Sequence, residues 1–139
     1  MSYAQTLEGR EREEWAMAQD VMRASHRDVT NPTVYAAARD WIEGAKDERF
    51  FAFVHFWDVH FDFIPPAPYD TMFDPDYGGD ITGDNFFFDE RINADLPERD
   101  KAHLEALYDG EIRWTDDHVG KLLDDLDAWG LAENTIVVV

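Results

Sequence analysis

Phe50-Phe51-Ala52-Phe53-Val54-His55-Phe56-Trp57 is the stretch on which the fold turns. Its nearly unbroken apolarity and its aromatic, strand-favouring side chains predict a β-strand covered on both faces, as in parallel sheets packed between helices. Upstream, Asn31 precedes Pro32, the order of a capping residue followed by proline in a first turn. Val34, Ala37, Ala38, Trp41 and Ile42 then follow at helical spacing as far as Gly44. A helix over 32–43 running into a strand over 50–57 predicts an α/β arrangement.

Working outward, residues 6–26 carry Leu7, Trp15, Ala18, Val21 and Met22 in a charged background, the pattern of a peripheral amphipathic helix within residues 1–30. Residues 58–95 are broken by Pro65-Pro66, Pro68, Pro75, Gly78-Gly79 and Gly83, while Phe61, Phe63, Tyr69, Phe73, Tyr77 and the run 86–88 supply aromatic anchors. A loop of that length inside a compact domain is usually functional. Asp95-Leu96-Pro97-Glu98 predicts a capped helix start, and Leu104, Leu107, Tyr108, Ile112, Val119, Leu122, Leu123 and Leu126 mark one helix face. Gly130 followed by Leu131 has the form of a helix C-terminal cap. Thr135-Ile136-Val137-Val138-Val139 reads as a second buried strand, in which the sequence stops.

Composition narrows the function. The 139 residues are 45% hydrophobic and 14% aromatic, enough for one packed core and too rich in large side chains for an acidic disordered segment. Thirty-one acidic residues against 12 basic ones give a net charge of -19, which repels nucleic-acid phosphates and anionic lipid and excludes nucleic acid as a partner. Asp exceeds Glu by 20 to 11 and Arg exceeds Lys by 9 to 3, a balance that suits solubility in strong salt. Without cysteine there is no disulfide framework, thiolate zinc site or Cys nucleophile. The first residues show no signal peptide or membrane segment, which points to the cytoplasm if Met1 is the natural start.

Ligands in open α/β sheets bind beyond the carboxyl ends of the strands, and His60 follows such an end. Asp58, His60 and Asp62 alternate, so an extended chain would aim all three the same way, able to hold an anion through His or a cation through the carboxylates. Their plain alternative is polar loop residues. His55, between Val54 and Phe56, reads as a buried, hydrogen-bonded histidine, and His26, His103 and His118 as solvated helix residues. The run 74–80 has the look of a calcium loop but carries Gly78 at a ligand position and no Glu at the twelfth, so a turn is expected. Asp109-Gly110-Glu111 and Asp116-Asp117 read as a solvated helix edge, with no catalytic carboxylate pair.

The segment Phe50 to His60, followed by Pro65-Pro66-Ala67-Pro68-Tyr69, resembles the sulfatase segment in which a strand ends in an Asp-Pro-His-like turn before a Pro-rich loop, with Val59 here in place of the usual Pro. Ala106-Leu107-Tyr108-Asp109-Gly110-Glu111-Ile112, then Asp116, Gly120, Lys121, Leu122 and Leu123 through Leu131, Asn134, Thr135 and Val139, is similar to the helix and strand preceding the family's Asp-His-Gly metal motif. The resemblance spans residues 32–139. It implies a partial three-layer α/β/α sandwich of the alkaline phosphatase type, with residues 1–139 belonging to one catalytic domain. It implies a formylglycine nucleophile, made within Cys/Ser-x-Pro-x-Arg, and a divalent metal, usually calcium. Both motifs are expected outside this sequence, before Met1 and just after Val139, which would leave the isolated chain without a bound metal and inactive. His60 resembles the histidine that contacts the ester group or leaving-group oxygen, with His55 and Asp58 shaping its surroundings. The implied substrate is a small-molecule or glycan sulfate ester. Phosphate diesters and phosphonate esters are the nearest enzymatic rival, and a non-catalytic acidic interaction domain is the rival from another class.

Overall fold

The computed structural model describes residues 9–25 and 30–139. The first residues of the expected peripheral helix, Thr6 and Leu7, lie outside them, as does His26. Among the described residues there are three α-helices, α1 (Gly9–Ser25), α2 (Thr30–Ala45) and α3 (Glu98–Ala128), with one 3-10 turn at Ala132–Asn134.

The expected α/β sandwich is overturned, because among the described residues the regular structure is helical and there is no strand or sheet. Strand propensity reports how well a side chain fits a pleated, half-buried surface, and a strand exists only when a neighbour completes its hydrogen-bond ladder. Neither 50–57 nor 135–139 has such a neighbour among the described residues. Their apolar side chains lie open, Phe51 at 87% and Phe53 at 82% exposure, Ile136 at 94% and Val138 at 89%.

α2 spans Thr30–Ala45, two residues beyond the expected 32–43 at each end. It lies alongside the second half of α3 and runs in the same direction, since successive contacts ascend both helices. Asn31 Nδ2 donates to Thr115 Oγ1 at 3.0 Å, and the Tyr35 hydroxyl donates to Asp125 Oδ2 at 2.7 Å. Further along, Arg39 stands over the Trp129 ring, 5.5 Å from its centroid. The hydrogen bond to Asp125 also raises the Tyr35 pKa, because the phenol is held as a donor to a carboxylate.

α3 begins without the side-chain cap expected from Asp95. Pro97 occupies the capping position, and the preceding turn is tied instead by Asn93 Oδ1, which accepts the Asp95 N–H at 2.9 Å. Its far end closes as expected. Gly130 has φ +70°, the left-handed conformation glycine adopts without a Cβ penalty, and the Leu131 and Gly130 N–H groups return to Leu126 O and Asp127 O at 2.9 Å each.

The core sits between the first half of α3 and residues 61–96. Ile81, Leu104 and Leu107 are buried together, with Phe63, Tyr77, Phe86, Ile92 and Leu96 packed around them. At α1, Trp15 meets Phe88 edge-on with ring centroids 5.8 Å apart.

Candidate active site around His60

The buried face of α3 differs from the apolar stripe read in the sequence. His103, Leu104, Leu107, Gly110, Glu111, His118 and Leu126 are buried, whereas Tyr108, Ile112 and Leu123 are more than two-fifths exposed. Two expectations fail here for one reason. His103 and His118 were expected in solvent, and Glu111 on a solvated edge, because each is polar. Yet Leu104, Glu111 and His118 are seven residues apart and so share one face of the helix. That spacing was the available signal for Glu111.

Residues 58–69 are laid against this face. Gly110 makes the approach possible, since a Cβ there would come 2.5 Å from Tyr69 O and 2.9 Å from Pro65 Cγ. Tyr69 fastens the loop about two turns further along, its hydroxyl donating to Asp117 Oδ2 at 2.5 Å. That bond and burial raise the phenol's pKa. Glu111 completes the attachment: its Oε1 accepts the Ile64 N–H at 2.8 Å. The residue is only 4% exposed, and Oε2 is buried without a hydrogen-bond partner among the described residues. Burial pushes the carboxyl up to about 8, opposed by the backbone amides of Ile64 and His60 and assisted by the charges of Asp58 and Asp62.

The sequence-predicted trio separates. The chain bends at Val59 and again at Phe61 and Asp62, so the alternation that would align the three side chains is lost. Asp62 turns inward, 5% exposed, with Oδ1 accepting the Phe86 N–H at 2.7 Å. Asp58 Oδ2 accepts the Thr30 hydroxyl at 3.2 Å, tying the loop to the first residue of α2. His60 stays at the surface, half-buried, its ring stacked on Trp57 at 4.9 Å with 22° between planes and 4.2 Å from the Phe61 ring. Its Nδ1 lies 2.6 Å from Phe61 O. A carbonyl only accepts, so that nitrogen carries the proton and Nε2 is the basic nitrogen of the neutral ring.

His55 is exposed, against the expectation of a buried histidine. It lines a groove of about 440 Å³ between α2 and 51–55, with Val34, Ala38, Trp41, Phe51 and Phe53, and His60 is not part of that groove. The 74–80 run is a turn, as expected, and Asp74 within it binds Arg99 and His103.

The sulfatase family model matches residues 3–139. The chain belongs to the sulfatase family. No curated protein and no solved structure was found to match it. The family comprises hydrolases of sulfate esters that generally use a divalent metal. The described residues of this sulfatase chain do not fit such an ion, because no three His, Asp or Glu side chains converge and Asp58 and Asp62 are turned to separate protein donors. No described helix is long and apolar enough to cross a membrane.

Proposed function

We propose that the chain supplies the ester-contacting histidine of a sulfatase that acts by formylglycine attack, and that His60 is that residue. The observation that carries the reading is the family match over residues 3–139, which includes the Phe50 to His60 segment. The ring chemistry supports it. With Nδ1–H given to Phe61 O, Nε2 is the nitrogen that, once it has taken up a proton from solvent to give the imidazolium, can hold that proton toward an ester oxygen on which negative charge grows as the bond to sulfur breaks. Stacking on Trp57 restricts the ring's rotation, so less ordering remains for the substrate to impose. Asp58, held by Thr30, keeps a carboxylate near the same turn, and His55 stands apart from it.

The test is ligand titration of the chain with an aryl sulfate, read at the histidine ring resonances. Saturable shifts at His60, lost in His60→Ala and absent at His55, are expected. Where aryl sulfate turnover is measured, His60→Ala should lower kcat/KM by roughly 100-fold, the scale of one lost oxyanion or acid contact. Shifts of equal size at His55 and His60 would refute the assignment.

A further inference from the structure

Glu111 is a buried acid that no step of the ester chemistry uses. It sits in the middle of α3, on a face otherwise occupied by Leu104, Leu107 and His118, and its Oε1 reaches out of the helix to the Ile64 N–H at 2.8 Å. The His60 amide also acts on the same carboxyl. Both amides belong to the turn that carries the His60 ring. Gly110 beside it is packed against Tyr69 O and Pro65, so the helix meets this loop at backbone distance, and no long side chain intervenes that could give way. A buried polar group at such a contact costs stability unless it is bonded, so its presence calls for a role.

We propose that Glu111 is the positioning residue of the His60 turn, its carboxyl group fixing the 60–64 backbone on α3 so that the imidazole keeps a single orientation. The inference rests on reading His60 as the ester-contacting residue, since a turn with no ligand would have no need of a fixed ring. Asp58 and Asp62 face the carboxyl from the 58–62 segment, and His60 stands beside it. On α3 itself His118 shares the buried face, its Nδ1 donating to Trp114 O at 2.9 Å, while Arg113 and Asp117 are paired at 2.7 Å and Asp117 also accepts from the Tyr69 hydroxyl. From α2, Thr30 bonds Asp58 and Asn31 bonds Thr115, both uncharged, and the Tyr35 ring lies edge-on to His118. With Oε1 accepting from Ile64, the protonated acid is mimicked by Gln, which keeps the acceptor and cannot ionise. Leu keeps the volume and removes the acceptor.

The experiment is NMR on the isotope-labelled full chain, comparing wild type with Glu111→Gln and Glu111→Leu. At pH 6.5, Glu111→Gln should leave the His60 ring resonances in place. Glu111→Leu should move them and speed exchange of the Ile64 amide at least tenfold, while amides of α2 and the end of α3 keep their protection. Unmoved His60 resonances in Glu111→Leu would overturn the proposal. A second readout does not depend on the folding of the Leu variant: between pH 6 and 10 the His60 and Ile64 resonances of the wild type should shift with a midpoint near 8, and Glu111→Gln should abolish that step. A step that persists unchanged in the Gln variant overturns it equally. None of these readouts contains an ester, so a failure of His60 to respond to aryl sulfate is distinguishable as a failure of the functional reading alone.

Discussion

Tyr77 lies flat on His103, with ring centroids 3.6 Å apart and planes 7° from parallel. The Arg99 guanidinium stands over Tyr77, 4.8 Å from the ring centroid, and grips Asp74 with both terminal nitrogens at 2.7 Å, while His103 Nδ1 donates to Asp74 Oδ2 at 2.9 Å. The turn 74–80 is thereby fastened to the first turns of α3 by one interlocked group. The Tyr77 hydroxyl extends it, donating to Asp100 at 2.6 Å and accepting the Ile81 N–H at 3.2 Å.

Tyr77→Ala should therefore cost about 3 kcal/mol, the scale of removing a large ring from a packed position. Tyr77→Phe keeps the stack and removes the acceptor for Ile81, and should cost about 1 kcal/mol. Urea unfolding of the two variants checks the order; equal losses would show that the ring itself contributes little.

Asp74 gives the turn an acid limit. Its hydrogen bonds to Arg99, the larger effect, and to His103 hold the carboxyl below its ordinary value of 3.8. A carboxylate lowered on folding adds stability above its unfolded pKa and loses it as pH falls through the lower folded one. Asp74→Asn should accordingly melt below the wild type at pH 5, and the gap should narrow progressively as pH falls below 3.8. A gap of constant size across that range would contradict the linkage.

Glu111 works in the opposite direction. Its carboxyl is raised from 4.5 to about 8, so the folded chain holds a proton that the unfolded chain releases between those values. Its contribution is complete below 4.5 and is lost as pH rises through 8, on the order of 5 kcal/mol over the window. Denaturant midpoints should fall between pH 5 and 8.5 in the wild type and stay level in Glu111→Gln.

The limits of the sequence are visible at the same residues. The close of α3 was legible because the left-handed Gly130 and the two backbone bonds behind it are local, and α2 because Pro32 and the apolar spacing after it are local too. The 50–57 run was misread because a strand depends on a partner elsewhere in space, which apolarity within one segment does not report. His60 rests on the family resemblance of the Phe50 to His60 segment and stands as a proposal. The burial of Glu111 is hard to read locally because its polarity points to solvent, while its seven-residue spacing from Leu104 and His118 points inward and the Ile64 amide that makes its burial tolerable is 47 residues away.

Two glycines of α3 separate the demands of the loop contact from those of the helix. Glycine in a helix interior is worth roughly 0.5–1 kcal/mol less than alanine, through the greater freedom it loses on folding. At Gly120 an added Cβ meets nothing within 4 Å, so Gly120→Ala should stabilise the chain by about that amount. At Gly110 the same methyl would come 2.5 Å from Tyr69 O and 2.9 Å from Pro65 Cγ, and the first of these is backbone that can move only with the whole loop. Overpacking of that kind costs about 1–3 kcal/mol, which outweighs the gain in helix propensity, so Gly110→Ala should destabilise. The loop is pushed off α3 at the residue beside Glu111, so the Ile64 amide should also lose protection from exchange in Gly110→Ala and keep it in Gly120→Ala. Stabilisation by both substitutions would mean that the 65–69 segment does not rest on α3 at all.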